Sequence, residues 1–180
     1  CKILEIMYNL KDRKGGAMMK IQIENERKFR AIKGPIGGLT DGAEIVQWYV
    51  CVKPAIRVRV ENFRDSFLTI KIKLAPGVNL ELEGKIPFFL RKGLVRFQKH
   101  RKVRKTRHKI GRLEIDVFSW ELEGLVLIEF EQKFSGEHFE IPVNFLVKEV
   151  TGDARFSNHN LCQLDKIPER WRCQDVSRGL

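Results

Sequence analysis

The chain has 180 residues, 43% of them hydrophobic and 32% charged, with a formal net charge of +11. This length and apolar content fit one domain with a real core and exclude a disordered chain; no apolar run of about eighteen residues offers a helical membrane span. The excess of lysine and arginine points to a polyanionic partner, a basic surface kept for solubility being the plainer alternative.

The opening CKILEIMYNLKDRKGG matches neither a secretory leader nor a clear presequence. Met18–Met19 reads as a more natural start. Residues 1–18 are therefore treated as an extension, 19–164 as the folded domain and 165–180 as a tail with helical potential. KIQIENERKFRAI, Lys20–Ile32, alternates Ile21 and Ile23 with Gln22 and Glu24, and it sends Glu24, Glu26 and Lys28 from one face. A connector rich in Gly and Pro follows, Lys33–Gly42. Strand-like segments then run over Ala43–Val52, Ala55–Asn62, Phe67–Leu74, Asn79–Ile86, Phe97–Ile110, Arg112–Phe118 and Leu125–Gln132, with turn residues suited to antiparallel hairpins between them. IPFFLRKGLVRF has helical apolar spacing behind Pro87. Glu140–Val150 and Asp153–Leu164 are the other helix candidates. Cys1, Cys51, Cys162 and Cys173 form no C-x-x-C and no zinc-like spacing with the four histidines. They read as reduced thiols in a reducing compartment.

Six strands carry an apolar row and a charged row. Leu68, Ile70 and Ile72 oppose Lys71 and Lys73; Ile56, Val58 and Val60 oppose Arg57 and Arg59. Leu80 and Leu82 oppose Glu81 and Glu83; Leu113, Ile115 and Val117 oppose Glu114 and Asp116; Val126, Ile128 and Phe130 oppose Glu129 and Glu131. Alternation alone favours a sheet whose charged face meets water. The charges, however, fall in like-signed pairs two residues apart on each strand, and a solvated sheet gains from mixed neighbours. Same-sign pairs make sense where metal ions compensate the acids and a polyanion the bases.

The order ENERK (Glu24–Lys28), RVR (Arg57–Arg59), TIK (Thr69–Lys71), KTRH (Lys105–His108), EIDVF (Glu114–Phe118), GLVLIEFE (Gly124–Glu131) and EVTGDARFSN (Glu149–Asn158) resembles the CYTH proteins, the triphosphate tunnel metalloenzymes. The resemblance runs from about Met19 to Leu161. It implies a mainly β domain: a closed, eight-stranded antiparallel β-barrel with a few short flanking helices and a lumen lined by the charged rows. It implies Mg²⁺ or Mn²⁺ held by Glu24, Glu26, Glu129 and Glu131. Lys28, Arg57, Arg59, Lys71, Lys73, Lys105 and Arg107 would contact phosphates, and Glu81, Glu83, Glu114, Asp116, Asp153 and Arg155 would support them. The residue types agree independently: hard dications take carboxylate oxygens, and arginine grips phosphate with two prongs. The expected chemistry is in-line attack of water on the terminal phosphorus, with Glu129, Glu131 and Lys105 as the catalytic candidates.

Family members include inorganic and thiamine triphosphatases, class IV adenylyl cyclases, and relatives acting on RNA ends or polyphosphate. ERKF resembles the short prokaryotic members tied to inorganic triphosphate, and hydrolysis of tripolyphosphate in the cytoplasm is the expected activity. A thiamine- or nucleoside-triphosphatase, a cyclase, or a non-catalytic barrel binding polyphosphate or RNA are the alternatives. In KHRKVRKTRHK (Lys99–Lys109) both faces are basic, and the match to KTRH selects Lys105 and Arg107 as inward. The other row, His100, Lys102, Arg104 and His108, would form an outer basic patch open to salt-dependent nucleic-acid contact. Glu81 and Glu83 fall two residues short of the acidic pair that many relatives carry before Ile-Pro, so either the register slips or Lys85 replaces an acid. Oligomeric state stays open, a dimer included.

Overall fold

The computed structural model describes residues 20–177 apart from 53, 97–101, 135 and 143. Expectations for residues 1–18 and for Lys99, His100 and Arg101 fall outside the described residues. The described residues hold ten strands: β1 (Lys20–Gly34), β2 (Ala43–Val52), β3 (Ala55–Glu61), β4 (Asp65–Ala75), β5 (Val78–Lys85), β6 (Val103–Ile110), β7 (Leu113–Phe118), β8 (Val126–Glu131), β9 (Leu146–Glu149) and β10 (Gln174–Asp175). Neighbours run β1-β5-β4-β3-β2-β6-β7-β8, and β8 pairs back onto β1. Eight antiparallel strands thus close into the expected barrel. β1 makes the closure by changing partner: Lys20–Asn25 pair with β5, and Glu26–Arg30 with β8.

Most of the apolar side chains lie outside the barrel wall. Helix α1 (Phe88–Val95) follows Pro87 and lays Leu90 and Leu94 over Trp48, Ile56, Val58, Leu68 and Ile70 of β2–β4. A second outer layer sets Phe139, Ile141 and Phe145 over Phe29, Leu113, Ile115, Ile128 and Phe130. Each buried aliphatic side chain contributes roughly 1.5–3 kcal/mol. At one end of the barrel an inward apolar cluster forms. There Tyr49, Val103, Phe118 and Leu127 meet Phe156, Leu161, Ile167 and Trp171 from the C-terminal segment, which plugs the barrel.

Two helix candidates differ from expectation. Glu140–Val150 forms no helix; its end is β9, which pairs with Phe29–Lys33 of β1. β1 outruns both β5 and β8, and its open edge needs hydrogen-bond partners that β9 supplies. Asp153–Leu164 is broken into a 3₁₀ turn, Ala154–Phe156, and the short helix α2 (Asn158–Leu161). Asp153 accepts from the Arg155 N–H and the Ser157 hydroxyl from the Asn160 N–H, so two local caps displace one continuous helix. The tail carries a 3₁₀ turn, Glu169–Trp171, and β10, which pairs in parallel with Lys33 and Gly34. No helix among the described residues is long and apolar enough to cross a membrane.

Candidate active site

Above the apolar plug the inward rows enclose a cavity of about 380 Å³. Seven acids line it: Glu24, Glu26, Glu81, Glu83, Glu114, Glu129 and Glu131. Seven bases face them: Lys28, Lys71, Lys109, Arg57, Arg59, Arg107 and Arg112. Among the described residues the lining is therefore formally neutral, and none of these lining residues is aromatic. Along β6 polarity and exposure rise toward the mouth. On β6, Val103 sits in the plug, Lys105 is 1% exposed, Arg107 11% and Lys109 67%.

The walls are laced by ion pairs. Lys28 Nζ lies 2.9 Å from Glu26 and 2.8 Å from Glu129. Burial alone would lower the Lys28 ammonium, but Glu129 and Glu26 outweigh it and hold it above its ordinary value. Lys71 pairs with Glu24. Arg59 donates to Glu83 (2.9 Å), which also accepts from the Thr69 hydroxyl (2.7 Å). The backbone fixes this end of β1 from two sides. The Glu26 N–H donates to the Gly77 carbonyl (2.9 Å), and the Lys28 N–H to the Thr151 hydroxyl (3.0 Å). Gly77 has φ +75, and a Cβ there would meet the Glu26 carbonyl oxygen at 2.7 Å, so the approach requires glycine.

A second network lies at the floor. Asp116 is fully buried and accepts from Arg107 Nε (2.6 Å) and Nη2 (2.7 Å), and from Lys105. Arg107 reaches on to Glu129 (2.9 Å) and Glu114. Burial and the neighbouring Arg107 push Lys105 down to about 8. Burial would raise Glu129, but Lys28, Lys105 and Arg107 hold it well below the usual carboxylate range. Asp116 is likewise lowered, its burial offset by Lys105 and Arg107. Tyr49, beside Arg57 at the plug, is pushed up to about 12 by burial.

The cavity thus brings together Glu24, Glu26, Glu129 and Glu131 with Lys28, Arg57, Arg59, Lys71 and Arg107, and adds Glu81, Glu83 and Glu114. Lys105 and Asp116 lie beneath it, behind Arg107. Lys73 is exposed and does not line it. Asp153 and Arg155 pair with each other at the surface (2.6 Å). Glu81 and Glu83 face inward, whereas Lys85 is exposed and pairs with Asp65 (2.7 Å). Sequence reasoning missed Gln22, Lys109 and Arg112 as lining residues. Gln22, Lys109 and Arg112 each extend a row already identified by one pleat repeat, Arg112 from the turn just before β7. Asn158 lines the cavity too, from the first position of α2.

The outward row of β6 is not a continuous basic patch. Arg104 stacks on Trp120 at 3.6 Å, and His108 is buried with Nδ1 donating to the Thr40 carbonyl (2.8 Å). Lys102 remains exposed.

A closed antiparallel barrel with ionic inward rows defines this chain as a charged β-tunnel protein. No family model matches the chain. It is 32% identical over 144 residues to an inorganic triphosphatase of Acetivibrio thermocellus, covering 77% of this chain and 92% of that protein. The crystal structure of the inorganic triphosphatase NE1496 aligns at TM-score 0.54 and 30% identity, over 81% of this chain and 96% of that one. A second crystal structure of NE1496 aligns with the same score over 99% of its length. The chain belongs to the CYTH family, the triphosphate tunnel metalloenzymes.

Proposed function

We propose that the protein hydrolyses inorganic tripolyphosphate to pyrophosphate and phosphate, with Mg²⁺ or Mn²⁺ as cofactor. The observation that carries this reading is the cavity itself: among the described residues, a lining of seven acids and seven bases with no aromatic side chain on which a base or thiazole ring could stack. The likeness to a named inorganic triphosphatase supports the same choice.

The lining fits a hard dication. Among the described residues no three acidic, histidine or cysteine side chains already converge on one point. Yet Glu26 and Glu131 stand directly opposite each other on β1 and β8, an arrangement that costs stability unless a cation lies between them. On the Glu26 side, the Lys28 and Lys71 ammonium groups now stand in for part of that charge. Glu24, Glu26, Glu129 and Glu131 would hold the ion, which would supply neutralisation of the phosphoryl oxygens.

The chain's own residues do the rest. Arg57, Arg59 and Arg107 would grip the phosphates, with Lys28 and Lys71 between them. The buried Nε atoms of Arg57 and Arg59 have no partner, as donors awaiting an anion would. Lys105 and Asp116 position Arg107 from below. Water attacks the terminal phosphorus in line, the bond to the bridging oxygen breaks, and pyrophosphate leaves. Glu129 is tied down by Lys28 and Arg107, so Glu131 is the proposed acceptor of the water's proton.

Phosphate release should be measured from tripolyphosphate, ATP and thiamine triphosphate side by side, with Mg²⁺ or Mn²⁺ and with EDTA. The expected result is release from tripolyphosphate above the other two, abolished by EDTA. Salt-sensitive binding with no release under either metal would replace the enzyme by a binding module.

A further inference from the structure

Glu24, Glu26 and Glu129, three of the four acids proposed to hold the dication, are already paired with cationic side chains. Lys71 Nζ pairs with Glu24 and lies 3.9 Å from Glu26 Oε2 and 3.6 Å from Glu81 Oε2. One ammonium therefore sits among three carboxylates, two from β1 and one from β5. Glu81 differs from the other two. It is buried, and its Oε2 has no hydrogen-bond partner, the nearest cations being Lys71 and Arg57 at 3.7 Å. A buried carboxylate oxygen without a donor is costly. An ammonium moving by about 1 Å would satisfy it. Lys28 has no such second seat, because its partners Glu26 and Glu129 are both proposed ligands.

We infer that Lys71 is a latch displaced by the metal: it neutralises Glu24 and Glu26 while no dication is bound and moves onto Glu81 when one arrives. This rests on the proposed role of Glu24 and Glu26 as metal ligands. An ammonium and a dication cannot share the same oxygens, since like charges about 4 Å apart repel strongly in a partly buried site. Glu81 provides the place that makes the exchange affordable in free energy. The move also parts Lys71 from Glu24, so that its remaining N–H groups face the cavity and the incoming polyanion. Metal binding and anion binding are thereby coupled through one side chain.

Mn²⁺ binding to the full chain without substrate tests this, read from loss of the free-ion electron paramagnetic resonance signal. Lys71→Gln should bind Mn²⁺ about tenfold more tightly than the wild type, the scale of one charge-assisted hydrogen bond. Glu81→Gln should bind it more weakly, because the displaced ammonium loses its seat. In the Lys71→Gln background, Glu81→Gln should have no further effect; general electrostatics would leave its effect intact. Lys73→Gln, outside the cavity, should match the wild type. If Lys71→Gln fails to melt cooperatively, Lys71→Met replaces it. Equal or weaker Mn²⁺ binding by the Lys71 variant, or a Glu81 effect that survives without Lys71, overturns the latch while leaving the metal site standing. Absence of Mn²⁺ binding by every variant, wild type included, removes both.

Discussion

Asp116 is the residue on which the cavity floor depends. Its two oxygens hold Lys105 and Arg107, and it is fully buried. Asp116→Asn would leave a buried ammonium without its counter-charge, at an expected cost of about 3–5 kcal/mol by urea unfolding. Replacing the pair together, Lys105→Met with Asp116→Leu, should restore most of that stability. Turnover of tripolyphosphate should stay low in the double variant, since Arg107 loses the fork that orients it. The same residues set an acid limit. Asp116 and Glu129 sit below their ordinary values when folded, so on acidification the unfolded chain takes up protons first. From these two carboxylates, stability should be level between about pH 5 and 7 and fall as the pH drops through about 4. Thermal melts between those conditions check this, and an equal slope in Asp116→Asn would exclude Asp116 as a source.

At the level of elements, the C-terminal segment closes the barrel end. Trp171 rests on Phe156 with ring centroids 4.6 Å apart, in the cluster that holds Tyr49 and Leu127. Trp171→Ala should cost about 3–5 kcal/mol, measured as a lowered unfolding midpoint. The barrel strands were legible because period two is strict in them, and so were the inward acids and bases, which share that period. What escaped was set by other forces. β9 answers an open edge of β1 that no local pattern announces. The broken helix after Asp153 follows from two side-chain caps competing with a longer helix. Depth escaped as well: Lys105 and Arg107 share a row and a charge sign, and only the position of Lys105 next to the plug makes one a floor and the other a wall.

For the whole molecule, the balance of seven acids and seven bases among the described lining residues means that they contribute nothing to the formal charge of +11. That charge should draw anions toward the mouth over distances comparable to the screening length. Raising KCl from about 50 mM to about 500 mM should lower kcat/KM for tripolyphosphate by roughly tenfold with kcat little changed. A salt-independent kcat/KM would mean that the exterior plays no part in capture. The way β1 changes partner has its own consequence for biosynthesis. β1 leaves the ribosome first among the barrel strands, yet Glu26–Arg30 find their counterparts only in Leu127–Glu131, about a hundred residues later. Hairpins β2–β3 and β4–β5 can zip locally while translation proceeds. The nascent chain therefore carries an incomplete, sticky ribbon until β8 has emerged, and only then can the ring shut.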